Sequence, residues 1–125
     1  MNLSNERMHG MTVTIYGIAN CDTVKKARAW LQANGADAQF VDFKKGGVPV
    51  PRLDAWLASV GWEALLNRKG TTWRKLPDEA RAAVVDAASA RKLMLDQPSV
   101  IKRPVVEWGG DDITVGFDTA TWAKR

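Results

Sequence analysis

Thr12-Val13-Thr14-Ile15-Tyr16-Gly17-Ile18-Ala19-Asn20-Cys21-Asp22-Thr23-Val24 is the stretch on which the reading of this chain turns. Thr12 to Tyr16 alternates small polar residues with apolar β-formers, the period-2 pattern of a strand. Gly17 to Asn20 is too short for anything but a turn. From Thr23 to Asn34 the apolar residues Val24, Ala27, Trp30 and Leu31 recur at helical offsets. Asn34-Gly35 predicts the stop, because glycine takes φ > 0 without steric cost. Ala38 to Phe43 reads as a second strand, and strand–helix–strand with short joints opens an α/β fold.

Beyond Lys44-Lys45-Gly46-Gly47 the period changes. Leu53, Trp56, Leu57 and Val60 mark an amphipathic helix behind Pro51, and Trp62 to Leu66 reads as a short one. Asp78 to Ala87 and Ser89 to Asp96 read as two more, each opening on a capping residue. The end returns to β structure. Val100-Ile101, Pro104 to Trp108, Gly109-Gly110-Asp111-Asp112 and Ile113 to Phe117 predict a hairpin with a glycine-rich turn. Asp118 is placed to cap a last short helix.

The 125 residues suit one domain able to bury roughly two-thirds of its unfolded surface. The expected division is a disordered extension over residues 1–11, with Met8 or Met11 as a candidate start, then a single domain over 12–125 with a helical insertion at about 51–97. No apolar run reaches the roughly 18 residues of a membrane span, and the N-terminus lacks the apolar core of a secretory signal. A cytoplasmic protein is expected. The net charge of +4, from 18 basic and 14 acidic residues, is mild and mixed in sign, so direct DNA binding is not implied. The local exception is Arg68-Lys69-Gly70-Thr71-Thr72-Trp73-Arg74-Lys75, read as a solvated loop and helix start with Trp73 packed inward and Thr71 or Thr72 capping.

One cysteine and one histidine narrow the chemistry. A single Cys allows no intramolecular disulfide and no zinc site with two thiolates, so no metal is expected. The histidine, His9, lies in the N-terminal extension, outside reach of a Cys-His or Ser-His unit. Cys21 stands just before the first helix, where the helix dipole and free N–H groups favour an ionised sulfur. Lys25, four residues on, and Lys26 beside it add positive charge that stabilises a thiolate; Asp22 opposes them. A free cysteine is also commonly buried and inert, and on these residues alone both readings stand. Arg103 precedes Pro104, a proline suited to a strand start, an edge or a cis turn. Its guanidinium suits bidentate binding of a carboxylate or oxyanion, or it is simply an exposed arginine beside that proline.

Taken together, Tyr16-Gly17-Ile18, Asn20 to Ala27, Gly61-Trp62-Glu63-Ala64-Leu65-Leu66-Asn67 and Ile101-Lys102-Arg103-Pro104 resemble the arsenate reductase (ArsC)/Spx family, best its YffB-like branch. The resemblance runs from residue 12 to about 122. It implies a thioredoxin-like α/β fold: β-α-β, helical insertion, β-hairpin and short C-terminal helix around a mixed four-stranded sheet. It also implies that Cys21 is the nucleophile, that Pro104 is cis, and that Arg103 faces the cysteine. Arsenate reductases of the family use further arginines. Arg68 stands one residue beyond the usual Leu-Leu-Arg position, and Val115-Gly116-Phe117 carries no arginine where the last is found. Spx regulators often carry Cys-x-x-Cys, and here Val24 takes the second place.

A lone reactive cysteine forms a mixed disulfide that an outside thiol must resolve. The leading expectation is a glutathione-dependent thiol–disulfide oxidoreductase, with glutathione as cosubstrate, no permanently bound cofactor, and a disulfide or oxyanion substrate. Asn20, Arg103, Pro104 and Arg68 are the expected anion- or glutathione-binding positions. The alternatives are arsenate reduction and, outside catalysis, an Spx-like regulator docking on RNA polymerase.

Overall fold

A computed structural model describes residue 8 and residues 10–125. Strand β1 (Thr12–Gly17) sits inside a four-stranded sheet, and four of its six residues, Val13, Ile15, Tyr16 and Gly17, are buried. It runs one residue further than the period-2 pattern predicted, because Gly17 still pairs with Asp42. Helix α1 (Asp22–Ala33) follows and buries Val24, Ala27 and Leu31. It ends as expected: Asn34 donates its side-chain amide to the Trp30 carbonyl at 2.8 Å, and Gly35 takes φ 81°. Strand β2 (Asp37–Asp42) pairs parallel to β1, Thr12 opposite Asp37. Phe43, predicted as the end of that strand, instead begins a one-turn helix, α2 (Phe43–Gly46).

Helices α3 (Val50–Val60), α4 (Trp62–Leu65), α5 (Thr71–Lys75), α6 (Asp78–Ala82) and α7 (Ala87–Asp96) come next, and a 3₁₀ turn, Pro98–Val100, closes the series. The single long helix read from Asp78 to Ala87 is not formed. The N-cap of α7 is Asp86, not Ser89: Asp86 accepts from the Ser89 N–H at 2.9 Å while the Ser89 hydroxyl accepts from the Asp86 N–H at 3.1 Å. This reciprocal pair satisfies two donors at once and stops α6 from running through. Gly70, rather than Thr71 or Thr72, occupies the N-cap of α5, with no side-chain cap, and Trp73 is half-buried.

Strands β3 (Val105–Gly109) and β4 (Asp112–Val115) form the antiparallel hairpin over a Gly109-Gly110 turn, and Asp118 caps α8 (Thr119–Trp122). The sheet order is β2-β1-β3-β4, parallel in its first pair and antiparallel in the other two. This mixed sheet with its β-α-β opening and closing hairpin is the thioredoxin-like arrangement.

The chain divides into two compact units. One comprises the residues up to Asp42 together with Arg103–Arg125, and the other is Phe43–Lys102. The first is built on Val13, Ile15, Ala27, Leu31, Val106, Trp108 and Trp122. Trp122 meets Phe117, Trp108 and Trp30 edge-on at 4.7, 4.9 and 5.4 Å, the geometry aromatic quadrupoles favour. Met8 belongs to this core, 2% exposed, and its N–H donates to the Asn34 carbonyl. The extension expected over residues 1–11 is therefore packed at Met8, because an unbranched thioether fills space beside the rings. Residues 1–7 and His9 lie outside the described residues.

In the second unit, Leu53 and Trp56 on α3 and Ala90 and Met94 on α7 are fully buried, with Phe43 against Trp56 at 6.1 Å. Helix α7 packs on α3 and α4, and Arg91 clamps Asp54 through two hydrogen bonds at 2.6 and 3.3 Å. Leu66 bridges to Ile101, and the Lys102 N–H donates to the Leu65 carbonyl at 2.8 Å. No helix among the described residues is long and apolar enough to cross a membrane.

Candidate active site

Strand β1 delivers the chain through buried Ile18 and exposed Ala19 and Asn20 to Cys21, the N-cap of α1. Cys21 has extended backbone angles (φ −128°, ψ 122°), yet its carbonyl already accepts from the Lys25 N–H at 2.9 Å. Its sulfur makes no capping hydrogen bond and the residue is partly exposed. The first-turn N–H groups, which have no partner within the helix, thus receive no side-chain cap from this residue, where an Asp or Ser oxygen would supply one. The twelve residues of α1 begin directly after Cys21, so the positive end of their aligned peptide dipoles lies at this residue. Lys25 and Lys26 lie exposed on the same helix, one turn along, and Asp22 is the acidic residue of its first turn.

The second element is the start of β3. The Arg103–Pro104 peptide is cis, Pro104 is buried, and its carbonyl accepts from the Gly116 N–H at 2.8 Å, extending the hairpin pairing. Antiparallel pairing of Tyr16 with Val105 carries the chain before Val105 past the end of β1. Arg103 and Pro104 therefore reach the sheet edge from which the turn to Cys21 departs. Asn20, Cys21, Lys25, Arg103 and Pro104 all belong to this one unit.

Arg68 belongs to the other unit. Its guanidinium lies over the Trp62 ring at 5.4 Å, in a turn where the Asn67 side-chain carbonyl accepts from the Lys69 N–H at 3.1 Å. A groove of about 910 Å³ between α6 and α7, lined by Ala80, Ala83, Val84, Ala88 and Leu93 among others, includes none of the expected site residues. Among the described residues, no three His, Cys, Asp or Glu side chains gather as a metal site requires.

Gly17, expected only as the first residue of the turn, occupies a tightly packed position. A Cβ there would stand 2.8 Å from Val24 Cγ2 and 3.8 Å from the Cβ of Arg103. The available signal was local: a residue without a side chain at the last position of β1, seven residues before the first buried position of α1.

Three carboxyls with displaced proton affinity do structural work elsewhere. The Arg91 guanidinium holds Asp54 below the usual carboxylate range. The backbone N–H of Ser89, then its hydroxyl, does the same for Asp86. The Thr121 hydroxyl, then the Ala120 N–H, lowers Asp118.

Comparison with known proteins follows the same outline. The sequence model of the ArsC family matches residues 16–125. An uncharacterized protein of Haemophilus influenzae is 34% identical over 106 residues, covering 85% of this chain and 91% of its own. The structure of the YffB (PA3664) protein superposes with a TM-score of 0.83 at 46% identity, over 90% of this chain and 96% of that one. An arsenate reductase (ArsC) related protein from Brucella melitensis is 56% identical, with a TM-score of 0.73 over 92% of this chain and 94% of its own.

Proposed function

The chain belongs to the ArsC family, and from that premise we propose that it is a cytoplasmic, glutathione-dependent thiol–disulfide oxidoreductase with Cys21 as its single nucleophile. The observation that carries the reading is the partly exposed Cys21 at the start of a twelve-residue helix, at the end of the sheet where the Arg103–Pro104 segment leads into β3. In the first step the Cys21 thiolate attacks a glutathionylated disulfide. A sulfur–sulfur bond forms between Cys21 and the glutathione sulfur, and the other half leaves as a thiolate. In the second step a free glutathione thiolate attacks the glutathione sulfur of that mixed disulfide. Glutathione disulfide forms and the Cys21 thiolate is released. Overall one free glutathione thiolate is consumed, one substrate thiolate is released, and glutathione disulfide carries away both glutathione sulfurs. Lys25 lies one turn along the helix from the attacking cysteine, and Arg103 binds a glutathione carboxylate. Position 24 is valine, so no internal thiol competes for the second step.

The test is mass spectrometry after exposure to glutathione disulfide. Wild type gains one glutathione and C21S gains none. A wild-type Cys21 that reacts no faster than free cysteine would overturn the reading.

The description of the Brucella relative favours a second reading, arsenate reduction. Against it, Val115-Gly116-Phe117 brings no arginine to the end of β4. Steady-state turnover of arsenate with glutathione and glutaredoxin, abolished in C21S, would replace the first reading with the second.

A further inference from the structure

We propose that Gly17 is a positioning residue that sets the span between the Cys21 end of α1 and the Arg103–Pro104 segment; this rests on the reading of Cys21 as the nucleophile. Gly17 is buried at the last position of β1, and its φ is not in the left-handed region, so backbone conformation does not require glycine there. Space does. An added Cβ would come within 2.8 Å of Val24 Cγ2, closer than real Cβ atoms approach any neighbour. On its other side it would meet the Cβ of Arg103 at 3.8 Å, an ordinary van der Waals contact.

The two neighbours differ in how they can respond. Val24 is 0% exposed and is the third residue of α1, where a β-branched side chain is held to essentially one rotamer. It cannot swing away, so relief must come from the first turn of α1 lifting off the strand. Cys21, bonded through its carbonyl to the Lys25 N–H, moves with that turn. The Arg103 Cβ would stand at ordinary contact distance and need not shift, and the chain beside it is anchored by the hairpin pairing of Pro104 with Gly116. The displacement therefore falls on one side only. It changes the separation between sulfur and guanidinium while leaving the sulfur exposed.

Two rates distinguish this from a simple loss of stability. Chloroacetamide, small and neutral, reads the sulfur alone. Glutathione disulfide, large and anionic, reads the sulfur together with the arginine side. For G17A the rate with glutathione disulfide should fall at least about fivefold more than the rate with chloroacetamide, within the roughly 100-fold that a 1 Å misplacement can cost. The double variant G17A/V24A, which removes the clashing methyls, should return the ratio of the two rates to that of V24A alone. An unchanged ratio in folded G17A, or a double variant that is not rescued, overturns the positioning role. If G17A does not fold, the double variant decides: recovery of fold and ratio supports the proposal, and failure of either overturns it. A wild-type protein whose Cys21 is no faster than free cysteine with glutathione disulfide refutes the underlying oxidoreductase reading, an outcome visible before any variant is made.

Discussion

The Lys25 N–H donates to the Cys21 carbonyl at 2.9 Å, so the lone cysteine is joined to the helix by its backbone while its sulfur remains outside the hydrogen-bonded ladder. The helix positions the sulfur without using it as a cap. The same bond places Lys25 one turn along α1 from Cys21, and its side chain is exposed.

Lys25→Glu should slow alkylation of Cys21 by chloroacetamide about two- to fivefold at low ionic strength, the modest scale expected of solvent-exposed charges. Raising salt to about 0.5 M should remove most of the difference, because screening shortens the reach of exposed charges to a few ångströms. A salt-independent loss would point instead to a disturbed helix.

Val24→Cys places a second thiol three residues into α1, beneath the N-cap. On exposure to glutathione disulfide this variant should end two hydrogens lighter rather than one glutathione heavier, since the internal thiol outcompetes an external one. Intact-mass analysis reads the result directly. Accumulation of the glutathione adduct would show that position 24 does not reach the Cys21 sulfur.

Trp122→Ala should destabilise the protein by roughly 3–5 kcal/mol, measured by urea unfolding. The residue is 2% exposed and its ring is met by Trp30, Trp108 and Phe117. The loss should fall on stability, with Cys21 still reactive at temperatures where the variant remains folded.

Asp86→Asn retains an acceptor oxygen at the start of α7 but removes the charge that the Ser89 N–H and hydroxyl stabilise. The carboxyl is lowered in the folded state, so its contribution is fully present above the unfolded value of about 3.9 and disappears as pH falls through the lowered folded value. The Tm of the variant should therefore lie below wild type at about pH 6 and converge with it as pH falls through that lowered folded value. A gap that persists at low pH would assign the effect to packing.

Much of the first unit was legible locally. The period-2 run at Thr12 to Tyr16, the stripe Val24, Ala27 and Leu31, the Asn34-Gly35 stop and the Asp118 cap each depend on neighbours within a few residues. In the helical stretch the limits of that approach appear. Ser89 looked like a cap because its residue type suits one, but Asp86 competes for the same N–H groups and wins by pairing with it. Phe43 looked like strand because it is aromatic and follows Val41, yet pairing with β1 ends at Asp42.

By itself the sequence singled out the candidate residues, since there is one cysteine, a helix opening behind it, and an arginine–proline pair just before a late strand. Only the tertiary structure decided that this pair reaches the edge where the cysteine turn leaves the sheet. That follows from Tyr16 pairing with Val105 across 88 intervening residues, and no local periodicity encodes such a partner. Likewise, the closeness of Val24 to Gly17 is a contact between a strand and the helix packed on it. It is fixed by how the two surfaces fill the space between them, and so it becomes visible only when both are in place.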